Sequence, residues 1–155
     1  MDSSNDWMGK ALSLEAQKDL LSKEIELLSI SNLDKVKKFH EAFNMKVSPT
    51  NKPDITDSDA LLRMRLIDEE YKEVIEAIEL RDPYKIAKEL ADLLYVVYGT
   101  AVSFGIDLDE VFDIVHRSNM TKLGEDGKPI YREDGKILKS DSYVPADLSD
   151  IFEDI

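Results

Sequence analysis

The sequence contains no cysteine. That excludes a disulfide framework, a thiolate nucleophile and a zinc–cysteine site. Two histidines, His40 and His116, leave little material for an imidazole-rich metal centre. Any metal must then be held mainly by oxygen, which points toward magnesium, manganese or calcium. Glycine and proline are scarce, six and five in 155 residues, so the chain is neither collagenous nor of low complexity. Positive charge is also in short supply: 20 Lys and Arg face 33 Asp and Glu, a formal charge of −13. Long-range repulsion of that size argues against nucleic acid or an anionic membrane as partner. A phosphate substrate stays open, because a basic loop or a bound cation reverses the field at one site.

Long uninterrupted apolar runs are missing too. The greasiest stretch, residues 90–106, is broken by Asp92 and holds Gly99, Thr100, Ser103 and Gly105, so it reads as a buried helix rather than a membrane span. Residues 1–30 carry Asp2, Asp6, Glu15, Asp19, Glu24 and Glu26, too acidic for a transit peptide and without the apolar centre of a signal peptide. A soluble, cytoplasmic protein is expected. With 43% hydrophobic residues the chain can build one core of single-domain size.

Helical periodicity fills most of the chain. Ser13 can cap a helix to about Leu28, and Asn32 starts a shorter one in which Val36, Phe39, His40 and Phe43 share a face. Residues 44–56, with Pro49 and Pro53, read as a linker. Asp57 or Ser58 opens a long helix to about Leu80, with Met64, Ile67, Tyr71, Val74 and Ile78 three and four apart. Asp82 followed by Pro83 is an N-cap and a first-turn proline, so a second long helix runs from there to about Phe104. Only a tight turn separates the two, and they must pack as an antiparallel hairpin. Gly105 ends the second helix, and Asp107 with Glu110 resembles a capping box for a further one over 108–118. Turn chemistry at Asp126-Gly127 and Asp134-Gly135 follows, with 128–132 and 136–139 as flanks of a small hairpin. The expected fold is all-α, a helical bundle with a C-terminal β-hairpin-like appendage. Residues 1–30 would be an extra helix, 31–148 the bundle domain and 149–155 an acidic tail.

The two long helices carry the chemistry. Glu70 with Glu73, and Glu89 with Asp92, are spaced three apart and so project from one side of each helix. Glu73 and Glu70 lie nine and twelve residues before Asp82, and Glu89 and Asp92 seven and ten after it. At ~1.5 Å rise per residue the pairs come level to within about a turn. With Glu69, up to five carboxylates surround one small volume. Bare, such a cluster repels itself and forces some members to protonate. Divalent cations resolve the conflict, and hard oxygen ligands suit magnesium. Asp92, set in an apolar run, would be costly to bury unpaired. Against this stands a plainer reading, in which the acids are a solvated face and Lys72, Lys85 and Lys88 pair with some of them.

These residues resemble a known family. Glu70-x-x-Glu73 followed by Glu89-x-x-Asp92 is similar to the signature of the all-α nucleoside triphosphate pyrophosphohydrolases, which include MazG, dimeric dUTPases and phosphoribosyl-ATP pyrophosphohydrolase. The segment 89–99, the run 116–122 from His116 to Lys122, and the two Asp-Gly-Lys turns narrow the likeness to MazG-like or phosphoribosyl-ATP pyrophosphohydrolase-like proteins. The resemblance implies magnesium-dependent hydrolysis between the α- and β-phosphates, with manganese as a substitute metal, and a homodimer or homotetramer. It implies Glu70, Glu73, Glu89 and Asp92 as metal ligands and Glu69 as an extra ligand or the group orienting the attacking water. Asn119 and Lys122 match a downstream N-x-x-K element near the nucleotide, and Arg117 belongs to the same locally basic stretch. Phosphoribosyl-ATP hydrolysis in histidine synthesis, and a non-catalytic helical adaptor, are the alternative functions.

Overall fold

A computed structural model describes residues 16–22 and 30–152. Residues 16–22 are helical; the rest of the helix expected from Ser13 to Leu28 lies outside the described residues, as do residues 153–155 of the acidic tail. Four helices follow: α1 Asn32–Ala42, α2 Asp57–Leu80, α3 Pro83–Phe104 and α4 Leu108–Met120. The fold is all-α, and no strand occurs among the described residues.

Each helix starts on a side-chain cap that answers its free N–H groups. Ser31, Thr56, Asp82 and Asp107 accept from Asp34, Asp59, Tyr84 with Lys85, and Glu110 respectively. Between α2 and α3 only Arg81 and Asp82 remain, and Arg81 turns the chain in the left-handed region at φ 55°. That reversal lays α3 back along α2, and α1 packs on another side of α3. A second left-handed residue, Gly105 at φ 71°, ends α3. Glycine is required there, since a Cβ would stand 2.3 Å from the Pro49 carbonyl oxygen. The linker 44–56 lies across this end of α3, held by Ser48 N–H to Val102 O (3.0 Å), Ser48 Oγ to Ser103 O (2.7 Å) and Asn51 N–H to Gly105 O (2.7 Å).

The long helix α2 has three sides. At 3.6 residues per turn, positions 63, 67, 70, 74 and 77 line up toward α3. Arg63, Val74 and Ala77 are buried on this side. Positions 61, 64, 71, 75 and 78 form a second side, apolar yet exposed: Leu61, Met64, Tyr71, Ile75 and Ile78 face outward. Glu69, Glu73 and Glu76 occupy the third, all of them exposed. The fully buried apolar residues among those described are few and mostly small (Val36, Val74, Ala77, Ala101, Val102 and Ile151).

Helix α4 leaves α3 at 114°. Residues 140–144 run back along its C-terminal end, with Ser118 Oγ on Val144 O (2.7 Å), Ser140 Oγ on Thr121 O (3.1 Å) and Val144 N–H on Thr121 Oγ1 (2.8 Å). The expected hairpin is reduced to one antiparallel bridge, Tyr131 with Ile137. Its rungs are Arg132 N–H to Lys136 O and Leu138 N–H to Ile130 O, both 2.8 Å. The flanks carry charges and no second layer packs on them, so a two-stranded ladder gains too little burial to extend. No single described helix is long and apolar enough to cross a membrane.

Candidate metal centre

The hairpin α2–α3 brings the acids together because both pairs sit at similar distances from its turn. One carboxylate oxygen from each of Glu70, Glu73 and Glu89 lies within 4.8 Å of the others. Glu70, on the edge facing α3, is half-buried, and its carboxyl is pushed above the ordinary range. Burial is the largest cause; the charges of Glu73, Asp92, Glu69 and Glu89 add to it, in that order. All five acids singled out in the sequence therefore act on one small volume. Glu73 and Glu89 also line a cavity of about 170 Å³ with Glu76, Ala77, Leu80 and Lys85. Glu76 escaped the sequence reading, although its position three residues after Glu73 puts it on the same side of the helix.

Asp92 departs from expectation in two ways. Its side chain is 45% exposed rather than buried, and its Oδ2 is paired with Lys88 Nζ at 2.8 Å. The same ammonium reaches Glu89 Oε2 at 3.0 Å. The apolar run around Asp92 is covered on one flank only, since Leu90 and Leu94 are themselves exposed. So the plainer reading holds for Lys88, which pairs with Glu89 and Asp92, whereas Lys72 pairs with Asp68, outside the set. Glu69 stands exposed on α2, beside the cluster.

The downstream residues lie elsewhere in the chain. Asn119 is exposed on α4. Lys122 lines a cavity with Arg132, Lys136, Ile137, Leu138 and Lys139, and Arg117 lines another beside Ser118 and Asp147. Neither cavity shares a residue with the acidic one. Among the described residues, these cavities hold the basic stretch and the acids apart.

His40 behaves as a packed histidine. It is 2% exposed, its Nδ1–H donates to the Lys46 carbonyl at 2.8 Å, and burial lowers its pKa, opposed by that hydrogen bond and assisted by the Arg63 charge. Buried Arg63, seven positions before Glu70 on the same side of α2, was not singled out in the sequence.

Three carboxylate oxygens within 4.8 Å of one another could hold one hard divalent cation, and the charges of Asp92 and Glu69 act on the same cluster. The donor set is all oxygen, which favours magnesium or manganese over zinc or copper. Such a centre can polarise phosphate oxygens and lower the pKa of water.

Three comparisons with known proteins bear on this chain. A crystal structure of a candidate NTP pyrophosphohydrolase from Exiguobacterium sp. 255-15 is 22% identical, covers 86% of this chain and 74% of its own, and superposes with a TM-score of 0.40. An uncharacterised protein of Acanthamoeba polyphaga mimivirus is 32% identical over 79 residues, 51% of this chain. The chain spans less than a third of that relative, since the match covers 29% of it. The sequence profile of the phosphoribosyl-ATP pyrophosphohydrolase family matches residues 36–119, which contain α2, α3 and every acid of the cluster. By that match, this chain belongs to the phosphoribosyl-ATP pyrophosphohydrolase family.

Proposed function

We propose that this chain is a magnesium-dependent pyrophosphohydrolase that cleaves nucleoside triphosphates between the α- and β-phosphates, releasing a nucleoside monophosphate and pyrophosphate. Manganese would serve as a substitute metal. Its role would be control of the cytoplasmic nucleotide pool, with deoxynucleotides and dUTP among the substrates to be tried. The observation that carries this reading is the convergence of Glu70, Glu73 and Glu89 oxygens within 4.8 Å.

Glu70, Glu73, Glu89 and Asp92 would hold the metal. When bound, magnesium supplies positive charge for the polyphosphate and makes water more acidic. Glu69, exposed beside the cluster, would accept the proton of the attacking water. The water oxygen then bonds to the α-phosphorus as the bond to the α–β bridging oxygen breaks, and pyrophosphate leaves. Arg117, Asn119 and Lys122 would bind substrate. Since they do not share the acidic cavity of their own chain, association of two copies would bring them to it. The exposed apolar side of α2 supports that association as a homodimer or homotetramer.

Phosphoribosyl-ATP is the second reading, and the description of the matching family favours it. A panel of common and modified triphosphates plus phosphoribosyl-ATP, read by pyrophosphate release with magnesium, tests both. Cleavage of triphosphates supports the first reading, and cleavage of phosphoribosyl-ATP alone the second. Silence on every substrate would leave a non-catalytic helical adaptor.

A further inference from the structure

Two lysines stand near the acids, and they differ: one lines the acidic cavity and the other pairs with a residue that lines it. Lys85 lines it without an ion pair among the described residues. Lys88 places its ammonium 3.0 Å from Glu89 Oε2 and 2.8 Å from Asp92 Oδ2. It thus links a member of the three-glutamate cluster to the one expected ligand that stands outside it. A single positive charge occupies the oxygens that a divalent cation would need.

Among the described residues, only those two acids hold the Lys88 ammonium. Its side chain is 58% exposed, whereas that of Glu89 is 13% exposed. The pair with Asp92 has the lysine four residues before the acid, the weaker helical order. A flexible four-carbon stem lets the ammonium swing into solvent at small cost.

We propose that Lys88 is a resident counter-ion of the acidic cluster, displaced when a divalent cation enters, and that its release lets Asp92 join Glu70, Glu73 and Glu89. The proposal rests on the metal reading above. Before metal arrives, Lys88 lowers the mutual repulsion of the acids. Once displaced, its charge is free for a phosphate oxygen. Metal affinity is therefore set by competition within the chain as well as by the ligands.

The test uses Mn²⁺ alone, titrated into the full chain at pH 7.5 without nucleotide and followed by the electron paramagnetic resonance of the free ion. Opening two exposed ion pairs corresponds to roughly a three- to tenfold change in affinity. Lys88→Met should bind Mn²⁺ more tightly by that factor, while Lys88→Arg binds no more tightly than wild type. Lys85→Met controls for net charge and should shift affinity less than about twofold, since no pair opens. Without metal, Lys88→Met should melt below wild type and gain more from Mn²⁺. Unchanged or weaker binding by Lys88→Met, or an equal gain in Lys85→Met, overturns the proposal and leaves the metal reading intact. Failure of wild type and all variants to bind Mn²⁺ would overturn the metal reading itself, and the counter-ion role with it.

Discussion

A carboxylate among four others is pushed toward its protonated form by its own environment. Glu70 feels burial first and then Glu73, Asp92, Glu69 and Glu89, and each of these favours its protonated form. Replacing one acid by its amide removes repulsion and, if the acid is a ligand, a metal bond as well. Glu73→Gln and Asp92→Asn should therefore lower turnover at least about a hundredfold while leaving far-ultraviolet circular dichroism unchanged. Full activity in both would remove the ligand assignment. His40 tests a different balance. Its folded pKa lies below the ordinary 6.5, so the stability tied to its neutral form is fully present above that value. It is lost as pH falls through the lowered folded pKa. The groups facing it are the Lys46 carbonyl and the Arg63 guanidinium, of which only Arg63 carries charge. Denaturant midpoints should fall as pH drops below 6.5, and His40→Gln should flatten that slope; an unaltered slope in the variant would refute the assignment.

The hairpin turn is where element geometry is most exposed to single substitutions. Asp82 caps α3 through Tyr84 and Lys85 N–H, at 3.0 and 3.3 Å. Loss of such a cap costs about 1 kcal/mol, so Asp82→Ala should lower Tm by roughly 2–4 °C. Arg81 adopts a left-handed conformation that glycine takes freely, and Arg81→Gly should hold or raise Tm. Opposite signs at adjacent positions form a sharp test by thermal unfolding. Deeper in the hairpin, α3 approaches the buried pair closely at Gly99. A Cβ there would stand 3.0 Å from both Arg63 Nη1 and His40 Nε2. Gly99→Ala should destabilise by about 1–3 kcal/mol, the usual cost of overfilling a packed contact. A neutral result would mean that the Arg63–His40 layer yields readily.

At the scale of the whole molecule, the described residues of one chain leave a broad apolar surface open. Met64 is 66% exposed and Ile78 49%, on the same side of a 24-residue helix. Continuous apolar sides of this kind mark association surfaces in soluble proteins. Light scattering should report a dimer or tetramer, and Ile78→Glu should shift it toward monomer with loss of activity. A monomeric wild type would contradict that expectation. Metal binding should be visible at this scale too. At a hundred times its dissociation constant, magnesium would add about 2.7 kcal/mol, or roughly 5–10 °C in Tm. Glu73→Gln should lose most of that rise.

The helices and their ends were legible because the forces that set them are local. Caps at Asp82 and Asp107, the stop at Gly105 and the three-residue spacing of the acids all act within a turn or two of chain. The convergence of Glu70, Glu73 and Glu89 followed from the same arithmetic, once a two-residue turn forced the helices antiparallel. The hairpin appendage was misread because Asp-Gly turns report where a chain reverses, and strands form only if a second layer buries them. The exposure of Asp92, the double grip of Lys88, the burial of Arg63 beside His40 and the separation of Lys122 from the acids were settled only by packing. Each depends on how far one helix is rotated against its neighbour, and a rotation of a few tens of degrees leaves every local spacing in the sequence unchanged.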